Sequence, residues 1–232
     1  MPEVSVIIPA FNEEQYIERT LISLKRQTLK NFEIIVKDGE SRDKTVGIAE
    51  KHADNVISKR DISAADARNQ GASCANGDVL VFVDADTLLP PHALERVVKL
   101  MKTNKNVVGG SCRKIPDDGN ILSRLMYELV NISTFLSFYL RIGGAHGSCM
   151  YIRKSVFRKI GGFNPKIKVA EEQELVRRAM RFGKFAFLLD LCVLENSRRI
   201  KKWGKLKLYM SWLIGTFKSF KIWKKQTYEK IR

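Results

Sequence analysis

Three strand–helix units in series constrain this chain more than any other feature. "VSVIIPAF" (Val4–Phe11), "FEIIVKDG" (Phe32–Gly39) and "NVISK" (Asn55–Lys59) are short, β-branched, apolar runs. Such runs read as buried strands. Each is followed by a helical pattern. After the first, Ile17, Thr20, Leu21 and Leu24 recur at helical spacing. After the second comes "SRDKTVGIAEKHA", with Ser41 placed to cap it. After the third comes the Ala-rich "SAADARNQGASCA", which Asn76-Gly77 is placed to close. A fourth strand, Val79–Val83, follows, and Pro90-Pro91 opens a further helix, "HALERVVKLMKT". Alternation of this kind predicts crossover connections and an α/β fold built on a parallel sheet.

In open parallel sheets, ligands bind beyond the carboxyl ends of the strands. Three such ends carry polar groups: Asn12-Glu13, Asp38-Gly39 and the pair Asp84/Asp86 in "DVLVFVDADTLLP". On an extended chain, Asp84 and Asp86 point to one side. Two carboxylates there repel each other unless a cation neutralises them. Mg²⁺ or Mn²⁺ with a substrate pyrophosphate suits the pair, because hard cations take oxygen ligands. An acidic turn with Asp86 as a cap fits the same letters. Asp38 can accept bonds from a base or ribose, or serve the turn that Asp-Gly favours. Arg68, next to Asn69, can hold phosphate oxygens, or lie on a solvated helix face. Glu171 and Glu172 open "EEQELVRRAMRFG". A carboxylate there can act as a general base, or simply offset the helix dipole. His146, in "GGAHGS", reads as an exposed loop residue outside the catalytic set.

Beyond Lys105 the pattern loosens. "VVGGSCRKI" reads as a strand leaving the parallel array. "ILSRLMYELVNISTFLSFYLRI" reads as a long apolar helix, near spanning length but carrying Arg124 and Glu128. Lys+Arg number 41 against 25 Asp+Glu, a net charge of +16. That balance favours anionic partners: nucleic acid, phosphorylated small molecules or lipid head groups. From Arg198 to Arg232, twelve Lys and Arg face one acid, Glu229, and Trp203, Trp212, Phe217 and Trp223 are interleaved. Such a segment lies on an anionic membrane, or packs on the domain with its lysines reaching to water. The four cysteines form no C-x-x-C pair, which argues against zinc and redox motifs. With a strand at the start in place of a signal peptide, a cytoplasmic, thiol-reduced protein is expected.

Taken in order, "VSVIIPAFNEEQYIERTLISL", "IIVKDGESRDKT", "ARNQGA", "VLVFVDADT", "KIGGF" and "EEQEL" resemble the family 2 glycosyltransferases, inverting enzymes of the GT-A fold. The resemblance covers roughly residues 3–200. It implies a GT-A domain over residues 1–200, with a nucleotide-binding half (1–104) and an acceptor half (105–200). A basic aromatic helix over 201–232 would follow. It also implies a transferase moving one sugar from a nucleoside-diphosphate sugar to a sugar or lipid-linked acceptor. By the same resemblance, Pro9, Phe11 and Glu13 line the base pocket and Asp38 touches base or ribose. Arg68 lies near the pyrophosphate, Asp84 at ribose or metal, and Asp86 holds Mg²⁺ or Mn²⁺. Glu172, with Glu171 second, is the catalytic base, and Arg198 and Arg199 close over the diphosphate. Peripheral contact with the inner membrane surface is expected, and no nucleic acid.

Three departures stand out. Glu40 is unusual in "KDGESRD", Glu171-Glu172 replaces the family's Glu-Asp, and the Q-x-x-R-W motif of processive synthases is missing. The last favours addition of single sugars. Two rivals fit parts of the pattern. A haloacid-dehalogenase-type phosphotransferase would use Asp84 of "VDADT" as nucleophile. A basic nucleic-acid-binding module would explain the charge, but not the three acidic strand ends.

Overall fold

The computed structural model describes residues 1–145, 147–167 and 170–198. Four strands form the expected parallel half: β1 (Val4–Ala10), β2 (Phe32–Asp38), β3 (Asn55–Ser58) and β4 (Val79–Phe82). Helices α1 (Ile17–Lys25), α2 (Thr45–Ala49) and α3 (Ala64–Ser73) provide the crossovers. The register sets Ala10 opposite Asp38, Asp38 opposite Ser58, and Ile7 opposite Phe82. Strands in step put their following loops side by side. Thus Asn12-Glu13, Gly39 and Asp84 share one edge of the sheet.

The second half adds β5 (Thr87–Leu88), α4 (Ala93–Thr103), β6 (Val107–Pro116), α5 (Ile121–Tyr139), β7 (Met150–Arg153), α6 (Lys154–Lys159), α7 (Glu171–Ala179) and β8 (Lys184–Glu195). Among the described residues the sheet order is β3-β2-β1-β4-β7-β6-β8-β5. β7 runs antiparallel to both β4 and β6, and β8 returns parallel to β6. The sheet is therefore mostly parallel, as expected, and β6 does leave the parallel array.

Alternation along the strands builds two apolar layers. Val6 and Ile8 face one side with Leu21, Leu24 and Val97. Ile7, Ile35 and Phe82 face the other, against α3, α6 and α7. There Phe82 meets Phe157 at 5.5 Å and Phe163 at 5.1 Å between ring centroids. Burying side chains of this size contributes about 1.5–3 kcal/mol each before entropy is counted.

Several local expectations change. Ser41 does not cap α2. Its hydroxyl donates to Asp38 instead, and Asp43 accepts the Thr45 N–H at 3.0 Å. Gly77 lies beyond the end of α3. A Cβ there would sit 2.6 Å from Ser5 N, so glycine is needed for close approach to β1. β4 stops at Phe82, and Asp84–Asp86 form a turn, not an extended run, in which Thr87 N–H donates to Asp84 O at 3.1 Å. The strand "KFAFLLDLCVLE" was not expected; it is buried on only part of each face, so strict alternation is absent. Among the described residues, no helix is long and apolar enough to cross a membrane. The expected C-terminal helix, Arg199 and His146 lie outside the described residues.

Candidate active site

Arg68 is the centre of the site. α3 begins at Ser63, whose hydroxyl accepts the Asp66 N–H. One turn later the helix buries Arg68 under the sheet edge. Arg68 Nη1 donates to Glu171 Oε1 at 2.8 Å and lies 3.1 Å from Glu172 Oε1. Nη2 donates to Asp84 Oδ1 at 3.0 Å. The guanidinium also stacks 5.6 Å from the Phe163 ring. A buried arginine is tolerable only because carboxylates surround it. Burial alone would lower its pKa, but Glu172, Asp84 and Glu171 outweigh that and raise it.

α7 delivers the two glutamates. Ala170, just before it, adopts a left-handed backbone at φ 61°, a conformation an alanine accepts only under constraint. Burial and the neighbouring Glu171 charge push Glu172 up to about 7, against the lowering effect of Arg68. Gly147 closes the cluster. A Cβ there would lie 2.5 Å from Arg68 Nη2 and 2.6 Å from Glu172 Oε1. Gly147 lies outside the residues that the sequence singles out. The glycines of "GGAHGS" were its signal.

A second guanidinium covers the other aspartate. Arg198 Nε lies 2.9 Å from Asp86 Oδ2. Its Nη1 and Nη2 donate to the two oxygens of Glu13, at 2.6 Å each. The group sits 4.5 Å from the Tyr16 ring centroid. Burial tends to lower the Arg198 pKa, but Glu13 and Asp86 raise it overall. The preceding residues are pinned: Asn196 N–H donates to Asp86 O, and Ser197 N–H to Asp117. A cleft opens here, lined by Tyr16, Arg19, Asp86 and Asn196.

The donor chemistry fits a divalent cation at this point. Asp86 is nearly buried and already matched with a cationic group. Hard carboxylate oxygens are what Mg²⁺ and Mn²⁺ take. Among the described residues, no group of three or more His, Cys, Asp or Glu side chains is placed to hold a metal ion. A site built on one or two carboxylates and completed by substrate phosphates fits both facts.

The third strand end is different. Phe11 is 59% exposed beyond β1. Asp38 is fully buried, and its carboxylate accepts Ser41 N–H at 3.0 Å, Ser41 Oγ–H at 2.5 Å and Ser58 Oγ–H at 2.9 Å. The carboxylate expected to meet a base or ribose is held in place by these three donors. Lys37, also fully buried, donates to Asp38 O, Lys59 O and Asp61 Oδ2. A Cβ on Gly39 would lie 2.8 Å from Asp61 Oδ2 and 3.3 Å from Phe11 Cδ2. Asp61 and Phe11 thus flank Gly39, and Lys37 holds Asp61 from within. A lysine inside an apolar strand was the overlooked signal. Pro9 sits at the end of β1 opposite Lys37.

The structure therefore brings together Arg68, Asp84, Glu171 and Glu172, and separately Glu13, Asp86 and Arg198. The turn from Asp84 to Asp86 joins the two groups. An open, mostly parallel sheet with a two-carboxylate turn at the centre of its edge, faced by paired glutamates, defines a GT-A glycosyltransferase fold.

Comparison with known proteins agrees. The family description "Glycosyl transferase family 2" matches residues 5–161. The chain belongs to glycosyltransferase family 2. It is 27% identical over 190 residues to an uncharacterized glycosyltransferase of Haemophilus influenzae, covering 78% of this chain and 63% of that protein. It is 29% identical over 215 residues to a hyaluronan synthase of Pasteurella multocida, covering 88% of this chain and 22% of that one. The chain spans less than two-thirds of the length of these relatives. Among solved structures, S. aureus TarS (residues 1–349, with UDP-GlcNAc) is similar at TM-score 0.69 and 20% identity, over 84% of this chain and 58% of that one. A mannosyltransferase, PcManGT from Pyrobaculum calidifontis, solved with GDP-Man and Mn²⁺, is similar at TM-score 0.67 and 23% identity, over 84% and 56%. These likenesses support the fold. The family match favours the glycosyltransferase reading over the phosphotransferase rival.

Proposed function

We propose that this chain transfers a single sugar, with inversion, from a nucleoside-diphosphate sugar to an acceptor hydroxyl. The observation that carries the reading is the Arg68 bridge. One buried guanidinium ties Asp84 of the D-x-D turn to Glu171 and Glu172. Residues 1–104 form the nucleotide half and 105–200 the acceptor half. The exposed Phe11 ring, two residues beyond Pro9, offers a face for the base. Asp38 acts as a positioning residue, holding the loop through Ser41 and Ser58.

Glu172 is the base. Its pKa near 7 matches what a general base needs at neutral pH. Held against Arg68, its carboxylate takes the proton of the acceptor hydroxyl as that oxygen attacks the anomeric carbon from the face opposite the diphosphate. One displacement inverts the configuration, so no covalent sugar–enzyme adduct is required. Glu171 anchors Arg68 and keeps Glu172 in place. Mg²⁺ or Mn²⁺ on Asp86 and Asp84 would supply positive charge to the departing diphosphate. Arg198 adds donors there when it exchanges Glu13 and Asp86 for phosphate oxygens. The mannosyltransferase solved with GDP-Man and Mn²⁺ supports the metal on this fold. A lipid-linked acceptor would suit a chain this basic.

Thermal stabilisation by nucleoside diphosphates and nucleotide sugars, with and without Mn²⁺, tests the reading. A ligand at a hundred times its dissociation constant stabilises by about 2.7 kcal/mol. The proposal expects a rise in Tm with at least one nucleoside diphosphate that grows when Mn²⁺ is added. No response to any of them would overturn it.

A further inference from the structure

α5 is apolar on both faces. A surface helix normally turns its apolar stripe inward and its polar face to water. Here the inward face mixes Tyr127, Val130 and Phe138 with Ser123, Asn131 and Thr134. Asn131 bonds both the N–H and the C=O of Lys114 on β6, at 3.1 and 3.0 Å. Ser123 donates to Asp118 at 2.9 Å. The outward face carries Leu125 and Leu129, each 57% exposed, with Ile132, Leu136, Tyr139 and Leu140. They recur every three or four residues along a helix about 28 Å long. A contiguous apolar stripe of that length marks an interaction surface.

Charge selects the partner. Glu128, the helix's single acid, is paired with Arg113, so no unpaired acid on the helix opposes anionic groups. Arg124 and Arg141 flank the stripe at its two ends and are exposed. The chain leaves the described structure nearby. Ser197 bonds Asp117, three residues before Asn120, the cap of α5. Residues 199–232 then carry eleven Lys and Arg against one acid. An exposed apolar stripe on a chain this basic has the composition that anionic bilayers attract.

We propose that the outward face of α5 docks on an anionic lipid surface, with the helix axis in the membrane plane. Docking of this kind needs no assumption about the sugar or its acceptor. The test is flotation of the full chain with phosphatidylcholine vesicles, with and without phosphatidylglycerol. A variant carrying Leu125→Gln, Leu129→Gln and Leu136→Gln keeps every charge. The wild type should float with the anionic vesicles, and the variant's partitioning should fall about tenfold or more. The variant's Tm and its molecular mass in solution should be unchanged. Hydrogen exchange of wild-type α5 should slow when anionic vesicles are added, which checks the face without any substitution. Equal flotation of the variant, no slowing in α5, or a wild-type dimer that the variant converts to monomer would each overturn the proposal.

Discussion

Arg68 and Glu172 meet at 3.1 Å in a setting from which water is largely excluded. That contact connects α3 to the first turn of α7 and lowers the proton affinity of the proposed base. Glu172 stands near 7 because burial and Glu171 raise it while Arg68 opposes them.

The pH profile follows from the sign of that shift. The base works deprotonated, so kcat/KM should rise with pH through about 7 and level off above. Glu171→Gln removes a raising charge and should move the inflection down. Arg68→Gln removes the lowering charge and should move it up. Rates measured from pH 5.5 to 9 for the three proteins check the order.

Glu172→Gln should lower transfer by about 10²–10⁴-fold, the usual worth of a positioned base. Binding of the nucleoside diphosphate should persist. Stability gives a second readout. The folded pKa of Glu172 lies above its ordinary 4.5, so wild-type stability should decline as pH rises from 4.5 to about 7. The glutamine variant should lose that slope in denaturant titrations.

Arg198 competes for the carboxylates proposed to hold metal. Arg198→Ala should increase the Tm rise given by Mn²⁺ alone, since Asp86 and Glu13 lose their guanidinium. The same change should weaken nucleoside diphosphate binding in the presence of Mn²⁺, since donors to the diphosphate are lost. Calorimetric titration of each ligand separates the two effects.

Much of this arrangement was legible in the residues. β1 to β4 and their crossovers came from strong apolar runs with clear breaks, and the strand ends located the site. The pairing of Asp84 with Glu171 through Arg68 was hidden, because nothing local records which distant carboxylates an arginine will meet. β8 was hidden because its burial does not alternate. The bond that Ser58 gives Asp38 spans twenty residues, from β3 to β2, and no local pattern records it. Gly147 and Lys37 were visible only as oddities, a glycine beside a histidine and a lysine in an apolar strand.

Glu40 is a local oddity with a direct consequence. Its φ is 65°, a left-handed conformation that costs a non-glycine residue about 1–2 kcal/mol. Glu40→Gly should leave stability unchanged or raise it by about 0.5–1 kcal/mol, once the added freedom of the unfolded chain is offset. Urea unfolding at neutral pH measures it.

Asp86 is the residue proposed to carry the metal-dependent step of sugar transfer. Its most direct test is turnover of a nucleotide sugar by Asp86→Ala with Mn²⁺ present, alongside circular dichroism and Tm to confirm folding. The variant should fold, and its metal-dependent transfer should fall by about a hundredfold or more. A folded Asp86→Ala enzyme with wild-type, Mn²⁺-stimulated turnover would contradict that role.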